Sequence, residues 1–257
     1  MYPILFKLGP LQVTSFGFMM AFGFLFSAWI LRKEFTRIKK DPELAYELVM
    51  AAAIGGVGGA KINFLLLHLD AVFADPFGMI FSGAGLVWYG GLIGGAAAAM
   101  FWAHKLGIPV GVATGITAPL LALGQGIGRI GCFLVGDDWG KASTVPWAMA
   151  FPDGIDPVNY PVHPTQLYEM SALFIIFGII WRYRHKIQTA WAPLWLYLIL
   201  SGIQRFIVEY YRVNTVVMGG PTLAQIISVI SIIIGGYGLY KIYGDQTPVR
   251  AAAKQRT

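Results

Sequence analysis

Long apolar runs, separated by short polar and basic stretches, dominate the chain. A helix needs about 20 apolar residues to cross a bilayer, and runs near that length occupy residues 13–31, 44–67, 86–103, 110–135, 166–181, 190–209 and 223–242. The pattern predicts an all-α integral membrane protein with seven transmembrane helices. The first run is long for the core of a signal peptide, has only Lys7 before it and ends in a basic stop, so a retained helix is expected. The fourth run holds Pro119 and several glycines and is expected to kink or break near 124–131. Glycine runs at 55–60 and 90–96 should let two helix backbones approach closely. Five prolines punctuate the segment after the fourth run, Pro146, Pro152, Pro157, Pro161 and Pro164, and that segment is expected to be folded. Residues 1–243 are then one seven-helix domain that includes the loop 136–165, with 244–257 a disordered tail.

Charge orients this arrangement. Most of the 19 Lys and Arg residues lie in loops of one side: Arg32, Lys33, Arg37, Lys39, Lys40, Lys105, Arg182, Arg184, Lys186, Lys241, Arg250, Lys254 and Arg256. Lys7, Lys141 and Arg212 lie on the other. Cytoplasmic loops carry the basic excess, so the N-terminus is expected outside, in the periplasm, and the C-terminus in the cytoplasm. Composition agrees: 56 % of residues are hydrophobic and 12 % charged, against about 25 % charged in soluble domains. The net charge of +6 is spread over loops and forms no basic face, which argues against a nucleic-acid partner. Cys132 is the single cysteine, which excludes an intramolecular disulfide and a cysteine metal cluster. His68, His104 and His185 fall at loop positions unsuited to a shared metal site.

Against this apolar background the buried ionisable groups carry the functional signal. Arg129 lies within the fourth span and Arg205 within the sixth. An arginine stays charged and costs roughly 3 kcal/mol near the bilayer centre even on a lenient insertion scale. Each can offer a two-pronged fork to a phosphate, and the most abundant membrane anion is a lipid phosphate. The competing reading is an internal ion pair with Asp137, Asp138 or Glu209, the last standing at i+4 from Arg205. Lys61, six residues before the end of its span, can snorkel to the surface. Tyr89 is either an interfacial belt residue or a functional hydroxyl, and His163 precedes a helix start at Pro164 and Thr165. Gln166 and Glu169 share a helix face at i and i+3. Cys132 reads as an inert small hydrophobe, and Ser201 as a helix contact, because no Gly-x-Ser-x-Gly elbow is present.

Several segments in order resemble the bacterial prolipoprotein diacylglyceryl transferase family. They run from Leu8-Gly9-Pro10-Leu11 and Phe16-Gly17, through Gly90-Gly91-Leu92-Ile93-Gly94, to Arg205-Phe206-Ile207-Val208-Glu209-Tyr210-Tyr211-Arg212. The most specific is Gly128-Arg129-Ile130-Gly131-Cys132-Phe133-Leu134-Val135-Gly136-Asp137-Asp138-Trp139-Gly140, supported by His163 to Glu169. The resemblance implies a seven-helix enzyme of the bacterial inner (cytoplasmic) membrane. Such an enzyme moves a diacylglyceryl group from phosphatidylglycerol to the lipobox cysteine thiol of a prolipoprotein with its signal peptide, and releases glycerol phosphate. No metal or cofactor is expected. The resemblance implies that Arg129 and Arg205 handle the phosphate, with Glu209 supporting the second, and that Gly140 is the signature glycine. Tyr89 is the positional candidate for the proton acceptor ahead of His163 or Asp137, and Gly140, Cys132, His163, Gln166, Arg212 and Lys61 are expected around the substrate.

The chain also departs from that family's pattern. Tyr89 stands where the family has histidine before Gly-Gly-Leu-Ile-Gly, Cys132 where its signature has asparagine, and Asp137 where it has glutamate. Phe16 and Ser201 stand at tyrosine positions. Two alternatives follow: a diverged paralogue acting on another lipid or acceptor, and a non-catalytic phospholipid-binding membrane protein. The absence of paired half-chains speaks against a transporter.

Overall fold

The computed structural model describes residues 1–9, 11–81, 87–184, 189–214 and 220–244. His185, Lys186 and the expected tail beyond Gly244 lie outside the described residues. Helices form where the apolar runs predict them: α1 (Ser15–Arg37), α2 (Leu44–Leu67), α5 (Trp88–Lys105), α6 (Val110–Val135), α7 (Thr165–Tyr183), α8 (Ala192–Glu209) and α9 (Leu223–Gly244). Two short helices, α3 (Leu69–Ala74) and α4 (Pro76–Phe81), join α2 to the residues before α5. Among the described residues four helices, α1, α2, α6 and α9, are long and apolar enough to cross a membrane. The α6 helix runs unbroken over 110–135 with Pro119 inside it, so the expected break at 124–131 is not present.

The all-α expectation needs one addition. Two antiparallel hairpins are present, β1 (Ile4–Leu8) with β2 (Leu11–Thr14), and β3 (Met149–Phe151) with β4 (Val158–Val162). In the second, Met149 pairs with Val162 and Phe151 with Val158. Phe151, Val158 and Val162 bury together against Phe133, Trp139, Met149 and Met1. The proline-rich segment is therefore folded, around a small apolar core of its own.

The chain divides into two compact units, with boundaries inside α1 and α6: residues 24–113, and residues 1–23 with 114–257. In the first, α2 and α5 meet through Gly55, Gly59, Gly90 and Gly94, where an added Cβ would strike the facing backbone. Burial of Leu31 and Phe35 completes that unit's packing, and buried Glu34 accepts from Arg37 Nε at 2.6 Å. In the second unit Ala118 and Ala122 of α6, Leu173, Ile176 and Ile180 of α7, and Tyr197 of α8 form a core cluster. Gln125 Nε2 donates to the Tyr197 hydroxyl at 2.7 Å, satisfying two polar groups inside that packing. The α8 and α9 helices pack at Gly202 and Gly235, where a side chain would meet the Ser228 and Trp195 carbonyls. These contacts fix α6, α7 and α8 together, and their polar ends carry the charged groups.

Candidate active site

Arg129 comes from the last two turns of α6, Glu169 from the start of α7, Arg205 and Glu209 from the end of α8, and Arg212 from the residues just beyond it. Glu169 is 3 % exposed and lies at the centre of the group. Arg129 Nε lies 2.7 Å from its Oε2. Arg205 Nη1 and Arg212 Nη1 donate to its Oε1 at 2.9 and 3.0 Å. Asp138 bridges two of the same arginines, its Oδ2 accepting from Arg129 Nη1 at 2.5 Å and its Oδ1 from Arg212 Nη2 at 2.6 Å. Arg205 Nη2 stands 3.0 Å from Glu209 Oε2, while Glu209 Oε1 accepts from Asn214 Nδ2 and Thr222 Oγ1, each at 2.7 Å. Three guanidiniums and three carboxylates thus balance one another, which is how charges persist where solvent is scarce. Arg129 and Arg205 keep 23 % and 28 % of their side chains exposed, so neither fork is sealed.

Local structure explains how Asp138 reaches both arginines. Its backbone takes φ +60°, a left-handed conformation that aspartate and asparagine adopt more readily than most residues. Thr165 Oγ1 donates to the Asp138 carbonyl at 2.7 Å, and Gln166 Nε2 to the Asp137 carbonyl at 2.5 Å. Both donors are fully buried in the first turn of α7. Gly140 then pairs with Arg212 as an isolated bridge. Its N–H donates to the His163 carbonyl at 2.8 Å, and Lys141 N–H to that of Tyr211 at 2.7 Å. A Cβ on Gly140 would sit 2.7 Å from Thr165 Cγ2, 3.0 Å from His163 Cβ and nearer still to the Tyr211 carbonyl oxygen. Gly140 therefore serves by its lack of a side chain, letting the segment after α8 that delivers Arg212 close on the loop that delivers Asp138.

Asp137 and Cys132 adjoin this cluster. Cys132 is buried, its Sγ 3.7 Å from Arg129 Nη1. Burial and then the neighbouring Asp138 push the Asp137 carboxyl above the ordinary aspartate range, against the pull of Cys132, Arg129 and Arg212. Its Oδ1 is buried without a hydrogen-bond partner. Burial also pushes Asp138 upward, but Arg212 and Arg129 more than offset it and hold that carboxyl below its usual range. The ligand atoms of Cys132, Asp137 and Asp138 lie within 4.8 Å of one another, a spacing a metal ion could span. Arg129 stands against Cys132 and Asp138, however, and sets a fixed positive charge where a cation would enter.

His163 lies at the edge of the group in an aromatic set, its Nδ1 3.0 Å from the Tyr168 hydroxyl and its ring 5.0 Å from that of Tyr211. Lys61 and Tyr89 belong to the other compact unit. Lys61 Nζ lies 5.3 Å from the centroid of the Phe64 ring on α2, and Tyr89 is the second residue of α5, its side chain outside the described residues. Sequence reasoning did not single out Glu169 as the common partner of the arginines. The available signal was its i, i+3 spacing from Gln166 in a helix start otherwise poor in charge.

The comparisons with known proteins bear on this geometry. Residues 3–241 match the model of the family described as prolipoprotein diacylglyceryl transferase. The chain belongs to that family. Among curated relatives named phosphatidylglycerol–prolipoprotein diacylglyceryl transferase, the protein of Aeromonas hydrophila is 34 % identical over 254 residues, 94 % of this chain and 90 % of the relative. That of Pseudomonas putida is 33 % identical over 265 residues, 98 % and 97 % of the two chains. That of Vibrio vulnificus strain YJ016 is 35 % identical over 248 residues, 92 % and 89 %. In this prolipoprotein diacylglyceryl transferase the paired charges on α6, α7, α8 and the residues just beyond α8 come together in one cluster.

Proposed function

We propose that this chain transfers a diacylglyceryl group from phosphatidylglycerol to the lipobox cysteine thiol of a prolipoprotein and releases glycerol phosphate. The observation that carries the reading is the convergence of Arg129, Arg205 and Arg212 on Glu169 in a chain of this family. In the reaction a sulfur–carbon bond forms at the diacylglyceryl carbon and the carbon–oxygen bond to phosphate breaks. The thiol proton passes to a base, and negative charge collects on the departing phosphate. Arg129 and Arg205, held in place by Glu169 and Glu209, neutralise that charge. A cationic surrounding also favours the thiolate of the incoming cysteine. In this reading Asp137 takes the thiol proton, its Oδ1 buried without a partner beside Cys132. The reading places the chain in the bacterial inner membrane with seven spans and the arginine cluster toward the periplasm.

The test is transfer of a labelled diacylglyceryl group from phosphatidylglycerol to a lipobox peptide by the purified protein. Labelled thioether product is expected, and its absence beside an active relative would overturn the reading. Cys132 against Arg129, with Tyr89 on α5, favours a second reading in which another lipid or acceptor is used. Complementation of a strain depleted of its own transferase separates them: rescue supports the first, and a well-expressed protein that fails to rescue supports the second.

A further inference from the structure

The three carboxylates of the cluster are not equally fixed. Glu169 and Glu209 have side chains 3 % and 1 % exposed and lie on helices α7 and α8. The Asp138 side chain is 39 % exposed, on a loop residue whose backbone is held independently by Thr165. Its carboxyl can turn away without unfolding anything. What it would leave behind is specific: Arg129 Nη1 and Arg212 Nη2, 2.5 and 2.6 Å from its two oxygens, aimed at one small anion. Arg212 Nε is also buried without a partner. Two guanidiniums converging on adjacent oxygens of one anion is the arrangement that recognises a phosphate.

We infer that Asp138 is a tethered anion occupying the seat of the substrate's phosphate between Arg129 and Arg212, and that a phosphate ester binds there by displacing it. The inference rests on the function proposed above and adds to it a third arginine and an internal competitor. Displacement keeps the arginines paired at every stage: Asp138 neutralises them in the empty site, and the phosphate does so once bound. The aspartate also sets a threshold. A phosphate ester has charged oxygens to exchange for that carboxylate, whereas a neutral diacylglycerol has none.

The full-length protein in detergent micelles is titrated with free glycerol phosphate, with phosphatidylglycerol and with diacylglycerol. Asp138→Asn and Asp138→Gly both remove the charge and both suit the left-handed backbone. Each should bind phosphate esters about tenfold or more tightly, because a charged hydrogen-bonding competitor is gone, with diacylglycerol unchanged. Adding Arg212→Gln should abolish the gain. Tightening toward phosphatidylglycerol alone assigns the seat to the lipid, and tightening toward glycerol phosphate alone assigns it to the released product. Equal or weaker phosphate binding by both variants overturns the inference. In the unaltered protein, carbodiimide labelling of Asp138 should rise on saturation with whichever phosphate ester the variants bind more tightly, and unchanged labelling with that ligand also overturns it. The transfer assay separates the two levels. Turnover without tightening removes the seat and leaves the function, while tightening without turnover removes the function and leaves the seat.

Discussion

Three guanidiniums share the carboxylate of Glu169, so its removal affects more than any one pair. In Glu169→Gln an amide would face three cations with one oxygen and no charge. Breaking a buried ion pair from one side costs roughly 3–5 kcal/mol. The variant is therefore expected to melt earlier and to lose transfer activity, while Glu169→Asp recovers part of both; thermal melts and the transfer assay check this. Asp138 gives a pH dependence of known sign. Its carboxyl lies below the ordinary range in the folded protein, so its contribution to stability is present above that range and is lost as pH falls through the lowered value. Asp137, raised by burial and Asp138, acts oppositely: its contribution is lost as pH rises. Melting temperature against pH should show an acid limb that flattens in Asp138→Asn. Arg129 and Arg205 were legible as single letters because a charge inside an apolar run has few explanations. Asp138 and Glu209 were legible as their ion-pair candidates, and both pairs form; Glu169 as the shared partner was not, because its meaning lies in distances between α6, α7 and the end of α8.

Helices were legible because lipid-facing and packed sides are both apolar, so run length alone marks them. The hairpins were not. Strands of three to five residues carry too little pattern, and in β4 Pro161 interrupts what pattern there is. The bridge from Gly140 to Arg212 joins residues far apart in the chain, and no local rule foretells it. The glycine contacts between α2 and α5 make a paired test. Gly59→Ala would set a methyl against the Gly90 carbonyl oxygen, whereas Gly58→Ala meets nothing within 4 Å. The first is expected to cost about 1–3 kcal/mol of stability and the second to be close to neutral, as read from thermal melts of the two variants. If both were neutral, close backbone approach would not be what holds this helix pair.

At the scale of the whole molecule, the proposed orientation rests on the basic loops, and topology reporters test it. A fluorescent protein fused after residue 244 should fold in the cytoplasm, and an alkaline phosphatase fusion in the segment around Lys141 should be active in the periplasm. The reverse pattern would refute the orientation and with it access to an exported substrate. The order of the charged groups along the chain has a consequence for biogenesis. The six paired residues leave the ribosome as Arg129, Asp138, Glu169, Arg205, Glu209 and Arg212. Positive and negative arrive nearly in alternation, so the running charge of the cluster never departs from zero by more than one during synthesis. An insertion machinery that releases helices one after another is thus never asked to hold two uncompensated charges of this cluster in the membrane at once.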